Sequence, residues 1–278
     1  MGFDREPTRR RSRIRPREVR HGRGSRTHPY LLAESTRRPA AVVIGGSSGI
    51  GSACVNVFSD EGWRVGFTYR DSRLTAHRVR SALVLRGSHA ECWPLNIQRT
   101  DEYPSFVRGV RKFCNQVDAL VFCQGVIRGR NLERQTNREI FDTFHTNTIG
   151  AITLTKALLP VMANHSSITY VSSLAAFAGS FDPVYAASKG ALVSLAKSLA
   201  QRLGPRTRVN VVAPGLTSST GMFDSMKASV RQRHIDSTYL RKLATPSDVA
   251  RAVFFLASSS ADHVTGATLD VNGGEYLR

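Results

Sequence analysis

The sequence predicts an α/β protein built on one doubly wound, seven-stranded parallel sheet with helices on both faces. Short apolar, β-branched runs such as Ala40–Ile44 alternate with helical patterns from residue 39 onward, which is typical of consecutive βαβ units. A glycine-rich turn, Gly45–Gly51, joins the first run to a helical pattern, as at a nucleotide-binding crevice. No internal repeat or second boundary interrupts residues 39–278, so we expect a single domain there.

The elements follow from hydrophobic periodicity and from the residues that end each run. Strands are predicted at Ala40–Ile44, Trp63–Tyr69, Glu91–Leu95, Ala119–Cys123, Ser167–Val171, Arg208–Ala213 and Ala267–Val271. Helices are predicted over Gly49–Glu61, Ser72–Arg86, Asp101–Asn115, Asn137–Met162, Val184–Leu203 and, with Thr245 as N-cap, Pro246–Ser258. The long polar stretch Pro214–Tyr239 predicts a mobile lid over a substrate.

The first 38 residues have a different composition from the rest. They hold twelve arginines and four acidic residues, and so contribute +8 of the net charge of +18. Because so few large apolar residues accompany the charge, residues 1–38 are predicted to be a disordered Arg-rich extension. A solvated tail is the simplest interpretation, whereas an organelle transit peptide or an arm for nucleic acid or an acidic partner stays open.

Composition excludes several other classes of function. No apolar run approaches the roughly 18 residues of a membrane span, so a cytoplasmic protein is expected. The four cysteines lack C-x-x-C spacing and the eight histidines are scattered, so no metal site is predicted.

The glycine turn predicts a phosphate-binding loop. Gly45 permits the tight turn, whereas Gly49 and Gly51 let backbone N–H groups and a helix N-terminus approach a pyrophosphate. The contacts predicted for this turn are Gly45, Ser47, Ser48, Gly49, Ile50 and Gly51.

The second strand indicates which nucleotide binds. An acidic residue at its tip would bind a ribose 2′-hydroxyl, whereas a basic residue accepts a 2′-phosphate. The chain has Arg70 there, so NADP(H) is predicted as cofactor, although Arg70 as a solvated surface residue is the plainer alternative.

Tyr185 and Lys189 are candidates for acid–base chemistry. Four residues apart on a helix, they lie on one face, and an ammonium near a phenol favours the phenolate. We therefore expect the Tyr185 pKa to fall towards neutrality, as suits a general acid or base for a carbonyl and alcohol pair. Alone, the pattern also fits two solvated residues, but serines end the strand a dozen residues upstream.

Together these residues resemble the short-chain dehydrogenase/reductase family over about residues 40–275. The resemblance rests on the glycine turn, Asn147, the Ser172-Ser173 pair, Tyr185-x-x-x-Lys189 and Val212-Ala-Pro-Gly215, in the family's order. It implies a Rossmann fold and a catalytic set of Asn147, Ser173, Tyr185 and Lys189. Ser172 is the alternative to Ser173, because the interval of 13 residues from Ser172 to Tyr185 is the commoner one in the family, whereas position on the strand favours Ser173.

The resemblance also implies roles for these residues. Tyr185 would protonate the carbonyl oxygen, Ser173 would orient that oxygen, and Lys189 would lower the Tyr185 pKa and bind the nicotinamide ribose. Asn147 would hold a water that relays protons to Lys189. Further cofactor contacts implied are Asn96, Ile97, Gly125, Tyr185, Lys189, Pro214, Gly215 and Thr217.

Two departures from the family pattern lie beside the cofactor. Ile44 stands where members usually have Thr, and Phe122-Cys-Gln stands where they usually have Asn-Asn-Ala before Gly125. Both positions are less polar than in the family, which is consistent with a compensated repacking and puts the tightness of cofactor binding in question.

The closest resemblance is to the 3-oxoacyl-acyl-carrier-protein reductase branch, and it predicts reduction of a 3-oxoacyl thioester by NADPH in a homodimer or homotetramer. Arg128, Arg130 and Arg134 are candidates to meet an acidic carrier protein or a phosphopantetheine, whereas a solvated basic face is the plainer alternative. The alternatives are an oxidoreductase of a secondary-metabolite polyketide, sugar or steroid alcohol, and a non-catalytic NADP-binding protein with a basic nucleic-acid-binding arm. The intact Tyr, Lys, Ser and Asn set argues against the last, so nucleic acid is not the expected partner.

Overall fold

The computed structural model describes residues 37–278. Residues 1–36 lie outside this range. The disordered extension predicted for residues 1–38 therefore falls almost entirely outside the described residues and stays a prediction. Arg37, at the end of that extension, donates two hydrogen bonds to the Asp118 carboxylate, at 2.9 and 2.7 Å.

All seven strands pair in parallel in one sheet, in the order β3-β2-β1-β4-β5-β6-β7. The predicted doubly wound parallel sheet is therefore confirmed. The strand order reverses between β1 and β4, and a ligand crevice is expected at the carboxyl ends there. The strands are β1 (Ala40–Ile44), β2 (Arg64–Tyr69), β3 (Ala90–Pro94), β4 (Val117–Phe122), β5 (Met162–Val171), β6 (Thr207–Pro214) and β7 (Thr268–Val271).

Helices cover both faces of the sheet, because its buried strands are apolar on both sides. One core includes Phe106, Leu154 and Leu192, and the other includes Phe58 and Val253. The helices are α1 (Gly49–Asp60), α2 (Arg73–Leu85), α3 (Tyr103–Cys114), α4 (Asn137–Phe144), α5 (Gly150–Leu158), α6 (Ala175–Ala178), α7 (Pro183–Leu203), α8 (Gly221–Asp224), α9 (Ala228–Ser237) and α10 (Pro246–Ala257).

The prediction of one helix over Asn137–Met162 was wrong. A π-helical turn at His145–Ile149 separates α4 from α5, and a 3-10 turn at Leu159–Val161 ends the helical segment. Pro160 has no N–H to continue an α-helix, so the chain leaves the helix there. Met162 is instead the first residue of β5, which begins five residues earlier than predicted.

The predicted lid contains two helices, α8 and α9, of four and ten residues. Its mobility stays a prediction. The following helix, α10, begins as expected: Asp248 N–H donates to Thr245 Oγ1 at 3.2 Å, and Thr245 N–H donates to the Asp248 carboxylate at 2.8 Å. This capping box fixes the end of the lid segment.

Within residues 37–278, no helix combines the length and the apolar character needed to cross a membrane.

Candidate active site

A cavity of about 1180 Å³ lies at the carboxyl edge of the sheet. Ile44, Tyr69, Val171 and Pro214, the last residues of four strands, line it. Its position matches the crevice expected in doubly wound sheets. The predicted site residues on its wall are Gly45, Ser47, Ser48, Gly49, Ile50, Gly51, Arg70, Ile97, Gly125, Ser173, Tyr185, Lys189, Pro214, Gly215 and Thr217.

The glycine turn has the geometry of an anion site. Gly45 has φ +82°, and its N–H donates to Thr68 Oγ1 at 2.9 Å. A Cβ on Gly51 would lie 2.0 Å from the carbonyl oxygen of Gly45, so only glycine fits there. Ser48, the N-cap of α1, makes no side-chain capping bond. The first turn of α1 lines the cavity with N–H groups that no side chain caps, which suits a pyrophosphate.

Two further cofactor predictions have different outcomes. Arg70 lines the cavity with a side chain that is 57% exposed, and its Nε donates to Asp71 at 2.6 Å. Asn96 does not line the cavity: its Oδ1 accepts the N–H of Gln98 at 3.1 Å, so its amide stabilises a turn. The structure therefore brings Arg70, but not Asn96, to the cavity.

Lys189 is buried at the centre of the site. Its Nζ donates to the carbonyl oxygens of Val171, at 2.8 Å, and Gln124, at 3.4 Å. A Cβ on Gly125 would lie 3.0 Å from the same Nζ, so glycine leaves room for the ammonium. The ends of β4 and β5 thus hold the side chain of Lys189 in place.

The geometry favours Ser173 over Ser172 as the partner of the tyrosine. Ser173 lies on the cavity wall, where its Oγ accepts the Ala175 N–H at 3.1 Å and its hydroxyl lowers the pKa of Tyr185. Ser172 is buried, and its Oγ donates to the carbonyl oxygen of Lys189 at 2.8 Å. Ser173 therefore acts on the phenol, and Ser172 on the backbone of α7.

The predicted direction of the Tyr185 pKa was wrong for the protein alone. Burial raises the pKa of Tyr185, the hydrogen bond with Ser173 lowers it, and the carboxylate of Asp182 raises it. Burial also lowers the pKa of Lys189 to about 8. Both charged forms lose solvation in the interior, and this loss outweighs the attraction between ammonium and phenolate that the sequence pattern suggests.

Asn147 lies behind the cavity wall and is fully buried. Its Oδ1 accepts the N–H of Val126 at 2.7 Å, and its Nδ2 donates to the Val126 carbonyl and to Ser188 Oγ, both at 2.9 Å. Ser188 Oγ in turn donates to the carbonyl oxygen of Tyr185 at 2.7 Å. The π-helical turn thus directs Asn147 at the chain beyond Gly125, while its predicted water stays a prediction.

The two departures from the family pattern pack as an apolar unit. Ile44 is buried, and Phe122 stacks on Tyr170 with ring centroids 5.0 Å apart. The Cys123 N–H still donates to the carbonyl oxygen of Ile44 at 2.9 Å, so the backbone link between β1 and β4 continues past the substitution. Gln124 lines the cavity, and among the described residues its buried Oε1 has no hydrogen-bond partner.

Sequence reasoning missed the residues on the lid side of the cavity. Met222, Met226, Val230 and His234 line it, and their spacing of four residues was the available signal. His234 Nδ1 lies 2.7 Å from Oε1 of Glu275, which follows β7. This contact ties α9 to the C-terminal segment.

Metal chemistry has no ligand set in the described part of the chain. Across residues 37–278, no three His, Cys, Asp or Glu side chains form a group that could hold a metal ion.

A family model described as enoyl-(acyl carrier protein) reductase matches residues 44–275. The chain belongs to the short-chain dehydrogenase/reductase family. The resemblance seen in the motifs is thereby confirmed, and the protein is an NAD(P)-dependent oxidoreductase.

Curated relatives cover the described domain almost end to end. The chain is 32% identical over 241 residues to the 3-oxoacyl-[acyl-carrier-protein] reductase FabG of Escherichia coli, covering 85% of this chain and 97% of that one. It is 29% identical over 242 residues to the enzyme of the same name from Staphylococcus epidermidis, covering 86% and 99%. Carbonyl reductase family member 4 of Danio rerio is 30% identical over 240 residues, with 85% and 98% covered.

Solved structures of the same family superimpose closely. A short-chain dehydrogenase/reductase of Brucella melitensis, titled glucose/ribitol dehydrogenase, gives a TM-score of 0.83 at 30% identity, covering 87% of this chain and 98% of that one. A short-chain dehydrogenase of Burkholderia cenocepacia in complex with NADP gives 0.81 at 27% identity, covering 86% and 98%.

Because the pKa of Lys189 is lowered, the difference in stability between the wild type and a variant without this ammonium should depend on pH. The folded pKa of about 8 lies below the unfolded value of about 10.4, so the unfolded chain binds more protons between pH 8 and 10. The cost of the buried ammonium is therefore present at pH 7 and is lost as the pH rises. Relative to Lys189→Met, the wild-type free energy of unfolding should gain about 2 kcal/mol between pH 7 and 10.

Chemical denaturation of both proteins across this pH range measures the difference, and the comparison cancels other titrating groups. Lys197→Met, at an exposed position on α7, is the matched control and should show no such trend. If the difference in the free energy of unfolding between wild type and Lys189→Met is constant with pH, the prediction of a buried cation at Lys189 is contradicted.

Proposed function

We propose that the protein is an NADPH-dependent carbonyl reductase that converts a 3-oxoacyl thioester, carried on acyl carrier protein, to the 3-hydroxyacyl form. The observation that carries this proposal is the contact of Tyr185 with Ser173 at the wall of a cavity that also contains Lys189 and the glycine turn. The names of the relatives support the thioester.

The residues on the cavity wall fit a dinucleotide. The uncapped start of α1 and the missing side chain at Gly51 suit the pyrophosphate, and Arg70 suits a 2′-phosphate. Lys189, Pro214, Gly215 and Thr217 would hold the nicotinamide end. Bound NADPH supplies the hydride.

Tyr185 acts as the general acid in this proposal. Its raised pKa keeps the proton on the phenol at neutral pH, and this proton is the one that the proposal transfers to the carbonyl oxygen. Ser173 donates a hydrogen bond to the same oxygen and orients it. Lys189, with its pKa of about 8, stabilises the phenolate that is left and is suited to passing on a proton near neutral pH.

The proposed partners follow from the surface around the site. Arg128 lines the cavity, and Arg130 and Arg134 follow on the same loop, where an acidic carrier protein would approach. Self-association as a homodimer or homotetramer is supported by exposed apolar residues on α4, in the π-helical turn and on α5, namely Phe141, Ile149 and Ile152. A cytoplasmic location is part of the proposal.

Substitution of Arg70 tests the choice of nucleotide. Arg70→Ala should raise the KM for NADPH about tenfold to a hundredfold and leave the KM for NADH nearly unchanged, because only NADPH carries the phosphate that loses a charged hydrogen-bond donor. Arg73→Ala, which removes a neighbouring arginine that does not line the cavity, is the matched control. Equal losses for both nucleotides would overturn the assignment.

Substitution of Tyr185 tests the general acid. Tyr185→Phe should lower kcat with a short 3-oxoacyl thioester by about 10² to 10⁴, while NADPH still binds, because the ring remains and only the proton donor is lost. Ser173→Ala should also lower kcat strongly, and Ser172→Ala much less. Full activity in Tyr185→Phe would exclude this mechanism, and NADPH binding without turnover would redirect the search to other carbonyl substrates.

A further inference from the structure

Asp182 is a buried carboxylate for which the catalytic scheme has so far given no role. It is 1% exposed, lies at the start of α7 and lines the cavity. Its Oδ1 accepts the N–H of Tyr185 and the Nε2 of Gln135, both at 3.0 Å. Its Oδ2 accepts the N–H groups of Arg128 and Gly129, at 3.0 and 2.9 Å.

Four neutral donors therefore satisfy one buried negative charge. Among residues 37–278, no cationic side chain forms a salt bridge with Asp182. A carboxylate out of water is costly unless its oxygens are hydrogen-bonded, so each of these four bonds has a strong tendency to persist. The four donor groups bonded to Asp182 are therefore fixed relative to one another.

The donors come from two different parts of the site. Tyr185 N–H belongs to the first turn of the helix that carries the proposed acid. Arg128, Gly129 and Gln135 belong to the loop that follows Gly125, and this loop also lines the cavity. Gln135 Nε2 additionally donates to the Arg130 carbonyl oxygen at 2.9 Å, which closes the loop on itself. Asp182 therefore joins the first turn of α7 directly to this loop.

We propose that Asp182 is a positioning residue that couples the loop of residues 126–135 to the start of α7, so that the loop and the hydroxyl of Tyr185 keep one arrangement around the substrate. The proposal rests on the proposed function, in which Tyr185 is the proton donor. Gln135 completes the link from the loop side.

The same carboxylate also acts on the phenol through its charge. Asp182 and Ser173 act on the Tyr185 hydroxyl, and Lys189 lies one helical turn away on the same helix. A nearby negative charge disfavours the phenolate, and Asp182 accordingly raises the pKa of Tyr185, although less than burial does. Asp182 therefore helps to keep the proton on Tyr185 until it is transferred.

Two variants separate the parts of this role. Asp182→Ser keeps an N-cap oxygen for the Tyr185 N–H but is too short to reach the loop. Asp182→Asn keeps the shape and removes the charge, and because its amide nitrogen cannot accept, it also gives up two of the four hydrogen bonds. Thr245→Ala, which removes the N-cap of α10, is the control for a loss of stability away from the site.

Steady-state kinetics tests the coupling. Asp182→Ser should raise the KM for the carbonyl substrate and lower kcat, with kcat/KM down about tenfold or more, while the Kd for NADPH stays within about twofold. Thr245→Ala should lower the Tm by about as much as Asp182→Ser does, with unchanged kinetics. Wild-type kcat and KM in a folded Asp182→Ser protein would overturn the proposal.

If the Asp182 variants do not fold, Gln135→Leu provides a second test, because it removes the side-chain link from the loop, together with the bond to the Arg130 carbonyl, and leaves the charge and the cap. It should raise the KM for the carbonyl substrate. A wild-type KM in this variant would also overturn the coupling.

Absorbance titration of the Tyr185 phenol needs no turnover. It therefore tests the effect of Asp182 separately from the proposed reductase function. The spectrum of each protein minus that of its Tyr185→Phe counterpart reports Tyr185 alone. The Tyr185 pKa should shift downward in Asp182→Asn, and an unchanged pKa would exclude the electrostatic part of the role. If the wild type reduces no thioester, the proposed function fails while this titration still decides the effect of Asp182.

Discussion

The buried ammonium of Lys189 is the constraint on which the arrangement of the site depends. A cation in the interior needs acceptors, and the chain supplies main-chain carbonyls at the ends of β4 and β5. The space it needs explains the glycine at Gly125, where a Cβ would lie 3.0 Å from Nζ. Because Tyr185 lies one turn away on the same helix, fixing Lys189 fixes the phenol at the cavity wall.

Burial gives this site a different electrostatic character from the one that the motif alone suggests. A Tyr and Lys pair in water would favour the phenolate, whereas here the pKa of Tyr185 is raised and that of Lys189 is lowered to about 8. Both changes move the pair towards its neutral forms. In such a pair the phenol is protonated at neutral pH, which is the form that reduction of a carbonyl requires.

The sequence was a good guide where local chemistry determines the structure. The apolar run Ala40–Ile44 and the glycines after it fixed the first strand and turn, because only glycine tolerates the φ of Gly45 and the close contact at Gly51. The π-helical turn at Asn147 had no such signal, since residues 137–158 keep an apolar period that also fits one continuous helix. The role of Asp182 and the direction of the Tyr185 pKa depend on burial by distant segments, which no local pattern encodes.

Transfer of deuterium from doubly C4-deuterated NADPH to a 3-oxoacyl thioester tests the central claim most directly. The account predicts that the 3-hydroxyacyl product carries one deuterium on the carbinol carbon, as read by mass spectrometry. A 2-enoyl thioester run in parallel should stay unlabelled. Deuterium only in the product of the 2-enoyl thioester would contradict the assignment as a 3-oxoacyl thioester reductase. NADPH binding with no deuterium in either product would contradict it as well.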